Sequence, residues 1–381
     1  MKYLLENKRI LIFLRSFEIG GAERQAVMLA NYLKREEKAK VAVWAYSPPG
    51  PILKLLDKDI RTKSIPFDMK TQFPGNEAKR KNSLIWLGLR IIFFRPHVLM
   101  PFTVTPNVDC GYVWRWTGAK SCIWNQRDEE LRFLDKEIEN FAFHNTPVYV
   151  SNSKKEKQLI EENLKGAEKP VYHIPNAVRL NDPKKTRAEW RREMRMDEGQ
   201  LAAVMVANLH EFKDHANIIR AWKIAVEKSN LEKKPVLLLA GRFEGTKRSL
   251  RTLSEELGIA RYVRFLDFVE DIPGLLGASD IGIFSSRSEG CPNGVLECMA
   301  AGLPVVATDI DGTREALGKE YKYLAPTNNP QAFAEKILPF LIDEQARKKI
   351  GQQNKKRIEK FFSPEKAFEK YSSLLKNILS K

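Results

Sequence analysis

Ser285-Ser-Arg-Ser-Glu289-Gly-Cys-Pro-Asn-Gly294-Val-Leu-Glu297-Cys-Met-Ala-Ala-Gly302-Leu-Pro-Val305-Val-Ala-Thr308-Asp309 reads as a loop, a short helix and a buried strand in succession. Pro292 suits a first helical position, where its missing N–H costs nothing. Val295, Leu296, Met299 and Ala300 give the helix an apolar side, and Gly302 and Pro304 stop it. Val305–Thr308 follows as a β-branched strand.

A helix N-terminus favours an anion such as a diphosphate. Glycines 290 and 294 let the backbone come close to a ligand. Glu289 precedes the helix start, and Glu297 lies about 8 Å beyond Pro292 along it. Carboxylates accept strong hydrogen bonds from hydroxyls, so a phosphate-bearing ligand with a hydroxyl-rich group at each end suits the segment. A nucleotide sugar is such a ligand. Taken singly, Glu297 reads more readily as a solvated helix residue and Glu289 as an acid flanking the helix and favouring its dipole. The Gly-x-Pro-x-Gly between them and the flanking apolar strands favour the binding reading.

Working outward, the same half predicts strands at Ala202–Ala207, Val236–Ala240, Tyr262–Leu266 and Ile281–Ser285, with Val305–Thr308 closing the set. The loop 208–214 leads to a helix over Ala216–Glu227, with Asp214 as its N-cap. The first half opens the same way. A strand at Arg9–Leu14 is followed by a loop ending in Gly20-Gly21, an amphipathic helix over Ala22–Lys34 and a strand over Lys40–Tyr46. Further strands are expected at Val98–Phe102, Ser121–Trp124 and Val148–Ser151. Strand–helix–strand units imply parallel sheets with right-handed crossovers. Two doubly wound, Rossmann-like α/β domains follow, with a boundary in Pro175–Pro183 and an amphipathic helix over Pro364–Lys381 that suits either domain. A cleft between two such domains, beyond the strand ends, is the default ligand site.

The chain has 381 residues and a formal net charge of +16. Residues 1–180 carry 30 Lys+Arg against 20 Asp+Glu, and the remainder 34 against 28. This bias suits an anionic partner: a phosphorylated substrate, nucleic acid or an acidic membrane surface. It suits simple solubility equally. Cys110, Cys122, Cys291 and Cys298 form no CxxC pair, which fits free thiols in a reducing compartment. No signal peptide or 18-residue apolar span is expected, so the chain reads as cytoplasmic. Cys291 lacks an evident base and reads as a pocket-lining residue. Asp309-Ile-Asp311 matches an Asp-x-Asp metal motif, but its place at a strand end argues against that use.

Together these motifs resemble the retaining glycosyltransferases of family 4, over nearly the whole chain. The elements are Glu289-x7-Glu297 with the following Ala-Ala-Gly-Leu-Pro-Val-Val-Ala-Thr-Asp, Gly20-Gly21-Ala-Glu, Val150-Ser-Asn-Ser, Ile174-Pro-Asn-Ala, Asn208-x4-Lys213-Asp-His and Phe362-Ser-Pro-Glu-Lys. The resemblance implies a GT-B fold, two Rossmann-like domains facing across a cleft. Residues 1–178 would bind the acceptor, residues 179–360 the nucleotide sugar, and residues 361–381 would cross back to the first domain as a helix. It implies retaining transfer from a nucleotide diphosphate sugar, UDP favoured over GDP, to a glycan or lipid-linked acceptor in surface polysaccharide or glycolipid assembly. No cofactor and no metal are implied.

The resemblance further implies that Glu289 meets the donor sugar and stabilises positive charge at its anomeric carbon. Gly290, Cys291, Pro292, Asn293 and Gly294 line the donor, Glu297 binds the ribose, and Lys213 neutralises the diphosphate. Gly20 and Gly21 approach the same diphosphate. Two departures stand out. Asn208 stands where the family often has Arg, leaving Arg242 or Arg15 to compensate. Trp124-Asn-Gln-Arg-Asp-Glu129 lacks the family's histidine, leaving Gln126 or Arg127 as a candidate sugar or acceptor contact, or equally as a surface or supporting residue. The alternatives are a nucleotide-sugar epimerase of the same fold and, without any supporting motif, a basic nucleic-acid-binding protein. Lys79–Phe94, a basic run leading into an aromatic-rich apolar helix, fits either a buried helix or one at a membrane interface. The second option would make the enzyme peripheral on the inner face of the cytoplasmic membrane.

Overall fold

Long β-branched and leucine-rich runs, buried on both sides, build two wholly parallel sheets. The computed structural model describes residues 4–66, 76–127, 136–243 and 245–380; Asp128 and Glu129 of the Trp124–Glu129 segment lie outside them. The chain forms two compact units, Met1–Ala177 with Pro364–Lys381, and Val178–Ser363.

The first unit contains β1 (Arg9–Leu14), α1 (Gly21–Arg35), β2 (Lys40–Ala45), β3 (Arg61–Ser64), α2 (Glu77–Phe94), β4 (Val98–Pro101) and α3 (Val104–Val113). These are followed by β5 (Ser121–Gln126), α4 (Glu137–Asn145), β6 (Val148–Ser151), α5 (Lys154–Asn163) and β7 (Val171–His173). Its strand order is β3-β2-β1-β4-β5-β6-β7. Side chains alternate across β1. Ile10, Ile12 and Leu14 enter one core layer with α1, while Leu11 and Phe13 enter the other with α2, α3 and α4.

The second unit contains α6 (Arg187–Glu193), β8 (Ala202–Val206), α7 (His215–Lys228), β9 (Val236–Ala240), α8 (Lys247–Glu256), β10 (Val263–Phe265), α9 (Ile272–Ala278) and β11 (Ile281–Phe284). Then come α10 (Asn293–Ala300), β12 (Val305–Thr308), α11 (Asp311–Leu317), β13 (Leu324–Ala325), α12 (Pro330–Ile342) and α13 (Glu344–Phe361). The order is β10-β9-β8-β11-β12-β13. The last helix, α14 (Pro364–Ser380), buries Phe368, Tyr371, Leu374 and Leu375 in the core of the first unit. Ser372 and Lys376 on this helix both donate to Glu37 Oε1.

Several expectations need correction. β3, β7 and β13 are additional strands, and β13 extends the second sheet past Val305–Thr308. All three lie at sheet edges, half exposed, so they carry no continuous apolar run. Asp214 is the N-cap residue of α7, as expected, but it sits in the left-handed region (φ 44°, ψ 47°) and its side chain makes no capping hydrogen bond. Pro292 is the N-cap of α10, one position before the helix proper. α2 is buried on one face only. Leu84, Leu87 and Ile91 are buried, while Ile85, Trp86, Leu89, Ile92 and Phe93 are exposed.

Candidate active site

In the second sheet the chain starts at β8, winds to one side through β9 and β10, then returns to β11 beside β8. Loops leaving two such strands diverge and open a crevice beyond their carboxyl ends, the usual ligand position in this architecture. β8 runs into the loop carrying Asn208 and Lys213, and β11 into the loop carrying Glu289. The two loops are joined by backbone. Arg287 N–H donates to the Phe212 carbonyl (3.0 Å), and Ser286 Oγ lies 3.1 Å from the same oxygen. Ser286 N–H in turn donates to Thr308 Oγ1 (3.0 Å), whose hydroxyl donates to Ser286 O (2.9 Å). On this frame Lys213 Nζ and Glu289 Oε1 form an ion pair. The Lys213 ammonium also stands 5.7 Å from the centroid of the Phe284 ring.

α10 starts directly after the Glu289 loop. Gly294 is required there, because an added Cβ would collide with the Val206 carbonyl at the end of β8. Gly312 is required as well, its Cα face pressing on the carbonyls of Glu289 and Gly290. The close approach holds the α10 N-terminus over the strand ends. Pro292 has no N–H, so Gly290, Cys291 and Asn293 carry the donors of residues 290–293. Cys291 is buried, and Glu297 on α10 is 5% exposed. Asn208 accepts the Arg242 N–H (3.3 Å), and the Arg242 guanidinium lies 5.2 Å over the Phe268 ring. Arg242 is thus the nearby cation on the Asn208 side, whereas Arg15 belongs to the first unit.

Residues 186–357 match the family Glycosyl transferases group 1. The matched segment covers most of the second unit, Val178–Ser363. The whole chain has the GT-B fold, superposing on Anabaena Alr3699/HepE in complex with UDP and glucose with a TM-score of 0.81 at 18% identity, over 97% of this chain and 100% of that one. WaaG, a glycosyltransferase involved in lipopolysaccharide biosynthesis, gives 0.71 at 16% identity over 94% and 98%. By sequence, the chain is 32% identical over 166 residues to the glycosyltransferase-assigned EpsD of Bacillus subtilis (strain 168), 43% of this chain and 42% of EpsD. It is 29% identical over 208 residues to the N,N'-diacetylbacillosaminyl-diphospho-undecaprenol alpha-1,3-N-acetylgalactosaminyltransferase of Campylobacter jejuni subsp. jejuni serotype O:2, 54% of this chain and 44% of that enzyme. The chain spans about half the length of the curated relatives it matches.

Within the second unit, two features escaped sequence reasoning. Phe212, 62% exposed, stacks on His210 (5.1 Å, 14°) beside Lys213 and presents an aromatic face. Only its place next to a candidate residue hinted at it. His215, the first residue of α7, is 2% exposed and has no hydrogen-bond partner on either ring nitrogen. Burial, with Lys213 nearby, lowers its pKa to about 3. The folded pKa thus lies below the unfolded one, so the group's contribution is full above about pH 6.5 and lost as pH falls toward 3. Stability should fall by about 1.4 kcal/mol per pH unit through that window. His215→Asn should flatten the slope in urea titrations of the chain; an unchanged slope would refute the assignment.

In the Asp309-Ile-Asp311 segment, Asp309 forms an ion pair with Arg314. In the first unit, Gly20 caps α1 with an extended backbone (φ −133°), and an added Cβ would meet only the Glu23 carboxyl end. The fold itself therefore does not demand glycine there. Gln126 is fully buried and accepts from Trp124 Nε1 (2.9 Å). Arg127 donates to Asn176 Oδ1 (2.7 Å) and to Tyr371 Oη, and stacks over Phe102. These contacts give both residues structural duties, the supporting role that the sequence left open beside a sugar or acceptor contact. At the end of β4, Thr103 takes φ 70°, a costly conformation for a β-branched residue.

Proposed function

We propose that the chain is a retaining, metal-independent glycosyltransferase transferring a sugar from a nucleotide diphosphate sugar, with UDP favoured over GDP. Its acceptor is a glycan or lipid-linked saccharide of surface polysaccharide or glycolipid assembly. The observation that carries this reading is the Lys213–Glu289 pair beside the N-terminus of α10, with Glu297 on the same helix. The UDP preference draws support from HepE, whose crystal structures hold UDP and UDP-glucose. The lipid-linked acceptor draws support from two relatives named for diphospho-undecaprenol saccharides.

In this reading the donor's diphosphate exchanges partners with the resting ion pair. Lys213 turns from Glu289 to the phosphates, and the released carboxylate faces the sugar. Glu289 then stabilises positive charge at the anomeric carbon while Lys213 neutralises the departing diphosphate. The N–H groups of Gly290, Cys291 and Asn293 hold sugar hydroxyls and phosphate, and Glu297 accepts from the ribose. Arg242 supplies the second cation that Asn208 cannot. In the first unit, Gly20 and Gly21 at the α1 N-terminus offer further phosphate-binding N–H groups. No protein nucleophile is required; positioned charge and exclusion of water lower the barrier. The enzyme works in the cytoplasm at the inner face of the cytoplasmic membrane, and no helix among the described residues is long and apolar enough to cross one.

Thermal-shift measurements with UDP- and GDP-sugars test the donor assignment, since a ligand bound only by the folded state raises Tm by mass action. UDP-sugars should give the larger shift. Nucleoside diphosphate should appear only when acceptor is present, and turnover should be unchanged in EDTA. Epimerised nucleotide sugar formed without acceptor would favour the epimerase, and loss of activity in EDTA restored by Mn²⁺ would refute metal independence.

A further inference from the structure

α2 is an 18-residue helix held in the first unit by one face only. At about 100° per residue, Arg80, Leu84, Leu87 and Ile91 fall on its inward side, and all four are buried. The opposite side carries Ile85, Trp86, Leu89, Ile92 and Phe93, an apolar arc of about 120°. Phe93 is 86% and Trp86 65% exposed. Of the large hydrophobic residues exposed on the described part of the chain, this helix holds the densest group. The apolar area also extends sideways. Gly88 leaves room for the ring of Trp116, whose own surface is half exposed.

Charge frames the arc. Lys79 and Arg90 fall along one margin and Lys81 along the other, by the same helical geometry. Lys79 and Lys81 are exposed, and Arg95 is exposed at the C-cap. From Ala78 to Val108 the sequence contains five Lys+Arg and no Asp or Glu. An apolar arc rich in Trp and Phe, bordered by cations, matches the interface of a bilayer, where rings enter the headgroup boundary and cations meet lipid phosphates. A second copy of the chain fits poorly, because face-to-face stacking would oppose like charges.

We infer that this face of α2, with Trp116 at its side, docks the protein on an anionic lipid surface. The inference rests on the part of the proposed function that gives the enzyme a lipid-linked acceptor. The helix is already folded and fixed, so docking orders no new segment. Its buried Arg80–Asp109 ion pair and its core leucines hold the arc rigid before contact.

Co-sedimentation with phosphatidylcholine vesicles, with and without phosphatidylglycerol, tests the surface. The wild-type chain should partition to phosphatidylglycerol vesicles. The Trp86→Ser/Phe93→Ser variant should lose at least about tenfold in partition coefficient. Lys79→Glu/Lys81→Glu should weaken binding to anionic vesicles selectively. Matching melting curves establish that the variants fold, and an unchanged UDP-sugar thermal shift establishes that the donor site is intact. Absence of wild-type binding at low salt, or partition of the aromatic variant within about twofold of wild type, overturns the inference. So does lipid-independent dimerisation abolished by the aromatic variant, which would make the face a contact between copies. A wild-type chain that binds vesicles but shows no nucleotide-sugar shift would refute the transferase reading and leave the docking surface standing.

Discussion

Lys213→Ala should lower kcat/KM by roughly 10²–10³-fold, with Glu289→Gln falling in the same range. The effect is large because both side chains are asked to face charge that develops only during transfer. In the proposed reading Lys213 meets the diphosphate as it leaves, and Glu289 meets the anomeric carbon as it becomes positive. Steady-state kinetics with a UDP-sugar and acceptor measure this directly. Because the two groups are ion-paired, their effects should not add, and the double variant should lose less than the product of the single losses. Glu297→Gln should act mainly on KM, since ribose binding is common to ground and transition states. If the Lys213 and Glu289 variants both stayed within about twofold of wild type, well under 1 kcal/mol, the site assignment would be wrong.

Arg80→Ala should destabilise the first unit by about 3–5 kcal/mol. Arg80 and Asp109 pair with side chains 4% and 0% exposed, and Tyr46 Oη donates to the other carboxylate oxygen. Removing the arginine leaves a buried carboxylate without its counter-charge. Burial pushes the Asp109 pKa up to about 6, against the opposing pull of Arg80 and Tyr46. A folded pKa above the unfolded value means that the group's contribution is full below about pH 4 and lost as pH rises through 6. The penalty in Arg80→Ala should therefore shrink on acidification, as protonated Asp109 needs no partner. The direction is opposite to that of His215, so urea unfolding near pH 5 and above pH 7 separates the two. Arg80→Met/Asp109→Leu should recover most of the loss. A loss below about 1 kcal/mol in Arg80→Ala would show that the pair does not hold α2 in place.

Much of the fold was legible because its central strands are buried on both faces. Arg9–Leu14, Val148–Ser151, Val236–Ala240 and Val305–Thr308 are apolar runs whose ends coincide with the observed strands. Edge strands were not legible, since Arg61–Ser64 is mostly exposed and polar. At Asp214 the capping position was legible but not its chemistry, since the residue sits in the left-handed region and its carboxylate makes no capping bond. At Gln126 and Arg127 the sequence left a ligand contact and a supporting role both open, and the partners that engage them, Trp124, Asn176 and Tyr371, include residues far away in the sequence.

By itself the sequence determined the two runs of parallel strands, the α10 segment with its glycines and carboxylates, and the apolar character of α2. These depend on short-range patterns of burial, turn chemistry and helical spacing. Tertiary structure alone decided that Lys213 and Glu289 meet, because their contact joins residues 76 positions apart through adjacent strands of the sheet. It also decided which side of α2 faces water. An amphipathic pattern states that a helix has two faces, but only the sheet against which it packs chooses the one that is covered.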